Sequence, residues 1–115
     1  MASWTYKVLI VDSDMDIRDV VEDLLVDHGY EVRKAASPEQ AVVELRADVF
    51  DILLCHLDLL QAADGSLSRE LRARRPKTRV VAMSASGHQA GVDEADANLA
   101  KPFTRTQLLE TLRPD

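Results

Sequence analysis

The sequence predicts an α/β fold: one parallel sheet with helices packed on both of its faces. Three observations carry this prediction. Short apolar runs without polar alternation recur at residues 7–11, 51–55 and 79–83, the pattern of strands covered on both sides. Between them the apolar residues fall at helical spacing, as at Ile17, Val21, Leu24 and Leu25. Strand-like and helix-like segments then alternate from one end of the chain to the other, which implies crossover connections and a parallel sheet.

The elements follow in order. "KVLIV" (7–11) is the first strand, and the period changes from Asp14, with Ile17, Val20, Val21, Leu24 and Leu25 on one helical face. Gly29 supplies the left-handed residue that ends such a helix. "YEVRKA" (30–35) is a more polar second strand, nearer an edge. "SPEQ" (37–40) starts a helix, with Ser37 as N-cap, Pro38 in the first turn and Gln40 completing a capping box; Ala41, Val42 and Leu45 face inward. "DILLC" (51–55) is the third strand. A helix over 64–76 carries a thin stripe of Leu67 and Leu71, an arginine-rich end and a closing Pro76. "RVVAM" (79–83) and "ANLA" (97–100) are the last strands. "TRTQ" (104–107) repeats the capping box ahead of Leu108, Leu109 and Leu112. Residues 84–96 must hold a loop, a helix and a return turn, and a whole crossover needs roughly ten to twelve residues. The helix between the fourth and fifth strands is therefore expected to be short.

The 115 residues are expected to form one domain, 1–115, with an apolar fraction of 46% and a charged fraction of 30%. Fourteen basic against twenty acidic residues give −6, which argues against nucleic-acid or anionic-membrane binding by the surface at large. "MASWTYK" has no secretion-signal pattern and no stretch is long and apolar enough to span a membrane, so a cytoplasmic location is expected. Cys55, the only cysteine, reads as a small buried hydrophobe.

In an open sheet of this kind the functional site lies beyond the carboxyl ends of the central strands. Those ends carry Asp12 and Ser13, His56 to Asp58, Ser84 and Lys101. An acid, a hydroxyl and a lysine converging there suit a phosphoryl group: the lysine neutralises it, the hydroxyl bonds an oxygen and the acid holds a divalent cation.

"KVLIVDSDMDIRDVVEDLLVDHGYEV", "FDILLCHLDLL", "VVAMSAS" and "LAKPF" together resemble the receiver (CheY-like) domain of two-component response regulators, over about residues 6–112. The resemblance implies a flavodoxin-like, doubly wound five-stranded sheet in the order 2-1-3-4-5, and phosphorelay signalling with a histidine kinase or another regulator as partner. It also implies a strand-three aspartate that accepts a phosphoryl group, an acidic pair that binds Mg²⁺, and a hydroxyl and a lysine that sense the acyl phosphate. Carried over residue by residue, Asp12 matches the first acid, Ser84 the hydroxyl and Lys101-Pro102-Phe103 the lysine motif. Ser13 stands where the second acid is expected, Asn98 where an aromatic switch residue is usual, and His56 at the phosphoacceptor position.

A neutral imidazole cannot form an acyl phosphate and is a poor ligand for Mg²⁺, which prefers hard oxygens. The expectation is a degenerate, pseudo-receiver domain acting through protein contacts, with no catalytic residue and no cofactor, and at most weak Mg²⁺ binding at Asp12. Beside that stand plainer readings: His56 filling a vacated polar pocket near Asp12 or Lys101, a structural Lys101–Asp12 ion pair, and Ser84 as a loop hydroxyl. The alternative is a working phosphoacceptor that uses Asp58 with Mg²⁺, brought into the pocket by a bulge or register change. A weaker alternative is a flavin or nucleotide binder of the same sheet order, but "VDSDMD" after the first strand is acidic and would repel a phosphate. Asp14 and Asp16 read as helix N-terminal acids, His28 and His88 have no evident partner, and Trp4 and Tyr6 are expected to cover the sheet edge.

Overall fold

The computed structural model describes residues 6–61, 65–74, 78–84 and 95–112. Its strands are β1 (Lys7–Val11), β2 (Glu31–Ala35), β3 (Ile52–His56), β4 (Arg79–Ser84) and β5 (Ala97–Ala100). They form one sheet in the order β2-β1-β3-β4-β5, and every neighbouring pair is parallel. The helices are α1 (Met15–Asp27), α2 (Pro38–Ala47), α3 (Leu57–Leu60), α4 (Ser66–Arg72) and α5 (Arg105–Leu112).

Alternate residues of each central strand point to opposite faces, and the two faces carry separate cores. Leu9, Val11, Leu53, Cys55, Val80 and Ala82 pack with Ala41 and Leu45 of α2, Leu57 and Leu60 of α3, and Leu67 and Leu71 of α4. Val8, Ile10, Ile52, Leu54, Val81 and Met83 pack with Val21 and Leu25 of α1 and Leu108 and Leu112 of α5. Burying strands on both sides explains why β1, β3 and β4 read as continuous apolar runs. The edge strands β2 and β5 keep exposed positions at Glu31, Arg33, Lys34, Asn98 and Ala100.

The helix ends form as their residues dictate. Asp14 caps α1 by accepting from the Asp16 amide, and Gly29 follows the helix at φ 88°. At α2 the Ser37 hydroxyl accepts from the Gln40 amide at 3.2 Å, while Gln40 Oε1 accepts from Ala36 rather than from Ser37 itself, at 2.8 Å. Thr104 and Gln107 exchange the full reciprocal pair ahead of α5, at 2.8 and 3.0 Å.

Several boundaries differ from expectation. β3 begins one residue later and ends one residue further than residues 51–55, and just ahead of it the Asp51 carboxylate accepts from the Lys7 amide at 2.8 Å. β4 extends through Ser84, so this hydroxyl belongs to the strand end and is buried, not part of a loop. Val20 turns outward and is 63% exposed, since the inward arc of α1 is taken by Val21 and Leu25. The one-turn α3 was not expected; Leu57 and Leu60 give it a buried face, and it leads the chain out of β3. The helix foreseen over 64–76 is described as α4, with Leu67 and Leu71 buried as predicted. The expected short helix between β4 and β5 falls on residues 85–94, and with Trp4 and His88 lies outside the described residues. Tyr6 sits beside Tyr30 at the sheet edge with ring centroids 6.3 Å apart. His28 is exposed at the end of α1, its Nδ1 2.9 Å from the Leu24 carbonyl.

At the amino end of the sheet, the Lys7 ammonium pairs with Asp48 and, at 3.4 Å, with Glu31. The hydrogen bond from Lys7 holds the Asp48 carboxyl below its ordinary range, and Lys7 is raised in turn.

Candidate functional site

The strand register sets the site. Val11 lies opposite Cys55, His56 opposite Met83, and Ser84 opposite Ala100. The residues that end or follow these strands, Asp12, His56, Ser84 and Lys101, therefore gather at the carboxyl edge of the sheet.

Asp12 is the fixed point. It is 2% exposed. Its amide donates to the Ala35 carbonyl at 3.1 Å, extending the β1–β2 ladder by one bond. Oδ1 accepts from the Asp14 amide at 2.9 Å, a local turn that starts α1. Oδ2 accepts from Lys101 Nζ at 2.8 Å. Its own carbonyl accepts from the Arg18 guanidinium at 2.6 Å. Arg18 is the residue the sequence reading missed. Its position four residues after the N-cap Asp14, on the turn of α1 above the site, was the available signal.

Lys101 follows β5, and its backbone amide donates to the Ser84 carbonyl at 2.7 Å, tying the two strand ends together. The Lys101–Pro102 peptide is cis. The ammonium bridges Asp12 and His56, with Nζ 3.1 Å from His56 Nδ1. An ammonium has only donors, so in this arrangement Nδ1 holds a lone pair and the neutral ring carries its proton on Nε2. His56 Nε2 lies 3.5 Å from Asp58 Oδ2, and His56 Nδ1 lies 3.9 Å from Asp12 Oδ2. The imidazole thus lies against Lys101 and near Asp12, and the Lys101–Asp12 ion pair is present.

Asp58 does not enter the pocket by a bulge. β3 keeps its register with β4 through the His56–Met83 pair, and the chain then turns directly into α3. This places Asp58 in the first turn of α3, with its side chain 84% exposed. Ser13 is exposed on the other side of Asp12, and Asn98 is exposed on β5. Cys55, just before His56, is wholly buried; burial, and secondarily the charge of Asp12, push its thiol far above its ordinary range. It behaves as part of the core.

The resemblance implies Mg²⁺ here, and the donor set does not suit it. Mg²⁺ requires near-octahedral oxygen ligands. Asp12 brings one carboxylate whose two oxygens already bond Asp14 and Lys101, and the neighbouring side chain is an imidazole. Among the described residues no group of three or more His, Cys, Asp or Glu is placed to hold a metal ion. No helix among them is long and apolar enough to cross a membrane.

Beside the site, α1 and the segment after β5 enclose an apolar cleft of about 470 Å³. It is lined by Ile17, Val20, Val21, His56, Lys101, Pro102 and Phe103.

Comparison with known proteins agrees with this architecture. The profile of the response regulator receiver domain matches residues 8–113. The transcriptional regulatory protein ZraR of Salmonella typhimurium is 30% identical over 110 residues, 91% of this chain and 25% of ZraR. The alginate biosynthesis transcriptional regulatory protein AlgB of Pseudomonas aeruginosa is 36% identical over 109 residues, 89% of this chain and 24% of AlgB. The chain thus spans about a quarter of the length of these relatives. The chemotaxis response regulator CheY4 of Vibrio cholerae superposes with a TM-score of 0.81 at 27% identity, over 95% of this chain and 97% of that one.

Proposed function

The chain belongs to the response regulator receiver domain family, and from that premise we propose that it is a pseudo-receiver: a signalling module that works through protein contacts without aspartyl phosphate. One observation carries the reading. The side chain that β3 delivers between Asp12 and Lys101 is the imidazole of His56, not a carboxylate. A carboxylate could be phosphorylated to an acyl phosphate, which Lys101 would then neutralise. Here Lys101 is already neutralised by Asp12 at 2.8 Å, and its contact with His56 supplies no nucleophilic oxygen.

The position of Asp58 supports the same reading. A phosphoryl group on its carboxylate would sit on the exposed face of α3, with His56 between it and the Lys101–Asp12 pair. The partners would be signalling proteins, a histidine kinase or another regulator, that recognise the folded surface. The same charge balance, −6, speaks against nucleic acid as a direct partner of this domain.

The test is the amide NMR spectrum with millimolar Mg²⁺ and either acetyl phosphate or beryllofluoride. The expected result is an unchanged spectrum. Stoichiometric, Mg²⁺-dependent phosphorylation that Asp58→Asn abolishes would refute the reading and establish Asp58 as the acceptor.

A further inference from the structure

Charge is unevenly spread over this chain of net charge −6. Residues 69–77 hold Arg69, Arg72, Arg74, Arg75 and Lys77 against a single acid, Glu70. The end of α4 lies beside the end of α2, where Arg46 Nε donates to Glu70 Oε1 at 3.0 Å. A cleft of about 500 Å³ opens at this amino end of the sheet, formed where α2 ends, where α4 ends and where the chain leads into β3 and β4. Its lining includes Arg46, Ala47, Val49, Ala73 and Arg74. Val49 is 74% exposed, and Val43, one turn before Arg46 on α2, is 66% exposed.

The two arginines of the cleft are placed differently. Arg74 donates to the Leu45 carbonyl through Nη2 at 2.7 Å and Nε at 3.1 Å and pairs with Glu70, so it closes the end of α2. Arg46 uses only Nε on Glu70; among the described residues its Nη groups meet no acceptor, and its side chain is 70% exposed. The acids nearby are already occupied, Glu70 by the two arginines and Asp48 by Lys7. A guanidinium with both Nη groups open presents a fork that matches a carboxylate. A basic ligand would meet Arg46 and Arg74 directly. An extended polyanion, such as a duplex or an anionic bilayer, would face the −6 of the whole surface as well as this patch. A short acidic segment touches the patch alone. Ala47, Val49 and Ala73 add the apolar wall that a buried anchor side chain requires beside its charges.

We propose that this end of α2 and α4 docks a short acidic segment of a partner protein, with one large apolar side chain in the cleft against Val49 and Ala73 and a flanking carboxylate on Arg46. The inference rests on the reading of the domain as a module that works through protein contacts, and not on the state of His56. The face lies at the amino end of the strands, opposite the carboxyl edge that carries Asp12 and Lys101. A partner held there leaves that pocket untouched.

The experiment titrates the ¹⁵N-labelled protein with an amidated peptide in which one phenylalanine is flanked on both sides by glutamates. Companion peptides replace the phenylalanine by alanine, or the glutamates by lysines. The expected result is saturable shifts centred on the amides of Arg46, Ala47, Val49 and Ala73, with a Kd below about 1 mM. Raising NaCl from about 50 to about 500 mM should weaken binding several-fold. The alanine peptide should bind about fivefold more weakly or worse. Arg46→Glu and Val49→Asp, both at exposed positions, should keep the folded spectrum and weaken binding about tenfold or more, while Val20→Asp on α1 should leave it unchanged. Absence of saturable shifts, shifts centred on another face, equal or tighter binding of the lysine peptide, or full affinity in Arg46→Glu would overturn the proposal. So would shifts at these amides on raising the protein concentration where the peptide has no effect, which would seat a second copy there, or their response to phosphatidylserine vesicles but not to the peptide. Acetyl phosphate with Mg²⁺ is tested in parallel. Phosphorylation with peptide binding intact refutes the pseudo-receiver reading alone, and no phosphorylation with no peptide binding refutes the docking face alone.

Discussion

Replacing Lys101 by methionine removes the cation from a nearly buried ion pair and leaves the Asp12 carboxylate behind. The two charges are 2.8 Å apart, and the Asp12 side chain is 3% exposed. At an effective dielectric of ~20 their attraction is about 6 kcal/mol. Much of that offsets the cost of taking both ions from water, so the net loss is smaller. Breaking a buried pair by deleting one partner costs roughly 3–5 kcal/mol. Lys101 retains 21% exposure, which lets water reach the site, so the low end applies and about 3 kcal/mol is expected. Urea unfolding followed by circular dichroism reads this directly. With a slope of roughly 1–1.5 kcal/mol/M for a domain of this size, the midpoint should fall by about 2 M. Asp12→Asn alone strands the ammonium and should also destabilise. The double variant Asp12→Asn, Lys101→Met has no stranded charge, so it should lose less than the two singles together, by about 1.5 kcal/mol or more. Additive losses, or a Lys101→Met cost under about 0.5 kcal/mol, would show that the pair is not the keystone of the pocket.

Two further outcomes follow from the same geometry. Ser13→Asp with His56→Asp should place three carboxylates around one cation site, making the double variant less stable than the parent in EDTA and restoring it with Mg²⁺, because a ligand bound only by the native state stabilises it. The parent's thermal midpoint should ignore Mg²⁺ and His56→Asp alone should fall between, whereas a double variant indifferent to Mg²⁺ would refute the placement of His56 at the acceptor position. At the other end of the sheet, the hydrogen bond from Lys7 lowers Asp48 below its ordinary 3.8. A depressed carboxyl contributes stability that is complete above the unfolded value and is lost as pH falls through the folded one. Asp48→Asn should therefore flatten the acid limb of the stability curve below about pH 4, and an unchanged limb in the variant would count against the pair.

Strand positions and helix starts were legible in the sequence because they are set locally, whereas the sheet order came from the resemblance to receiver domains. A strand buried on both sides must be apolar throughout, and Ser37 and Thr104 carry their own capping bonds to Gln40 and Gln107. The gathering of Asp12, His56 and Lys101 was legible too, since topology alone brings those strand ends together. Their bonding was not. Whether Lys101 would turn to Asp12, to His56 or to both depends on side-chain geometry to within an ångström, and both contacts exist. Arg18 was missed because its partner is a backbone carbonyl, so that only its spacing from Asp14, and no complementary side chain, marks it in the sequence. The short α3 was missed because "LDLL" is also plausible as the end of a strand; what decides is that Leu57 and Leu60 can both reach the core only from a helical turn. Val20 was assigned to the core because spacing cannot resolve a residue at the margin of an apolar arc.

Cys55 gives the molecule a clock of its own. It is the chain's single thiol, it lies at the centre of the sheet with no exposed surface, and it is held as the unreactive neutral form. A disulfide reagent in solution can meet it only after β3 parts from its neighbours. When reclosing outpaces reaction, the labelling rate measures the population of opened molecules. Substitutions around Lys101 and Asp12, a residue or two beyond it in space, can then be ranked in native buffer without denaturant. A loss of about 3 kcal/mol at that pocket should quicken labelling roughly a hundredfold if it loosens the whole sheet, and far less if only the rim gives way.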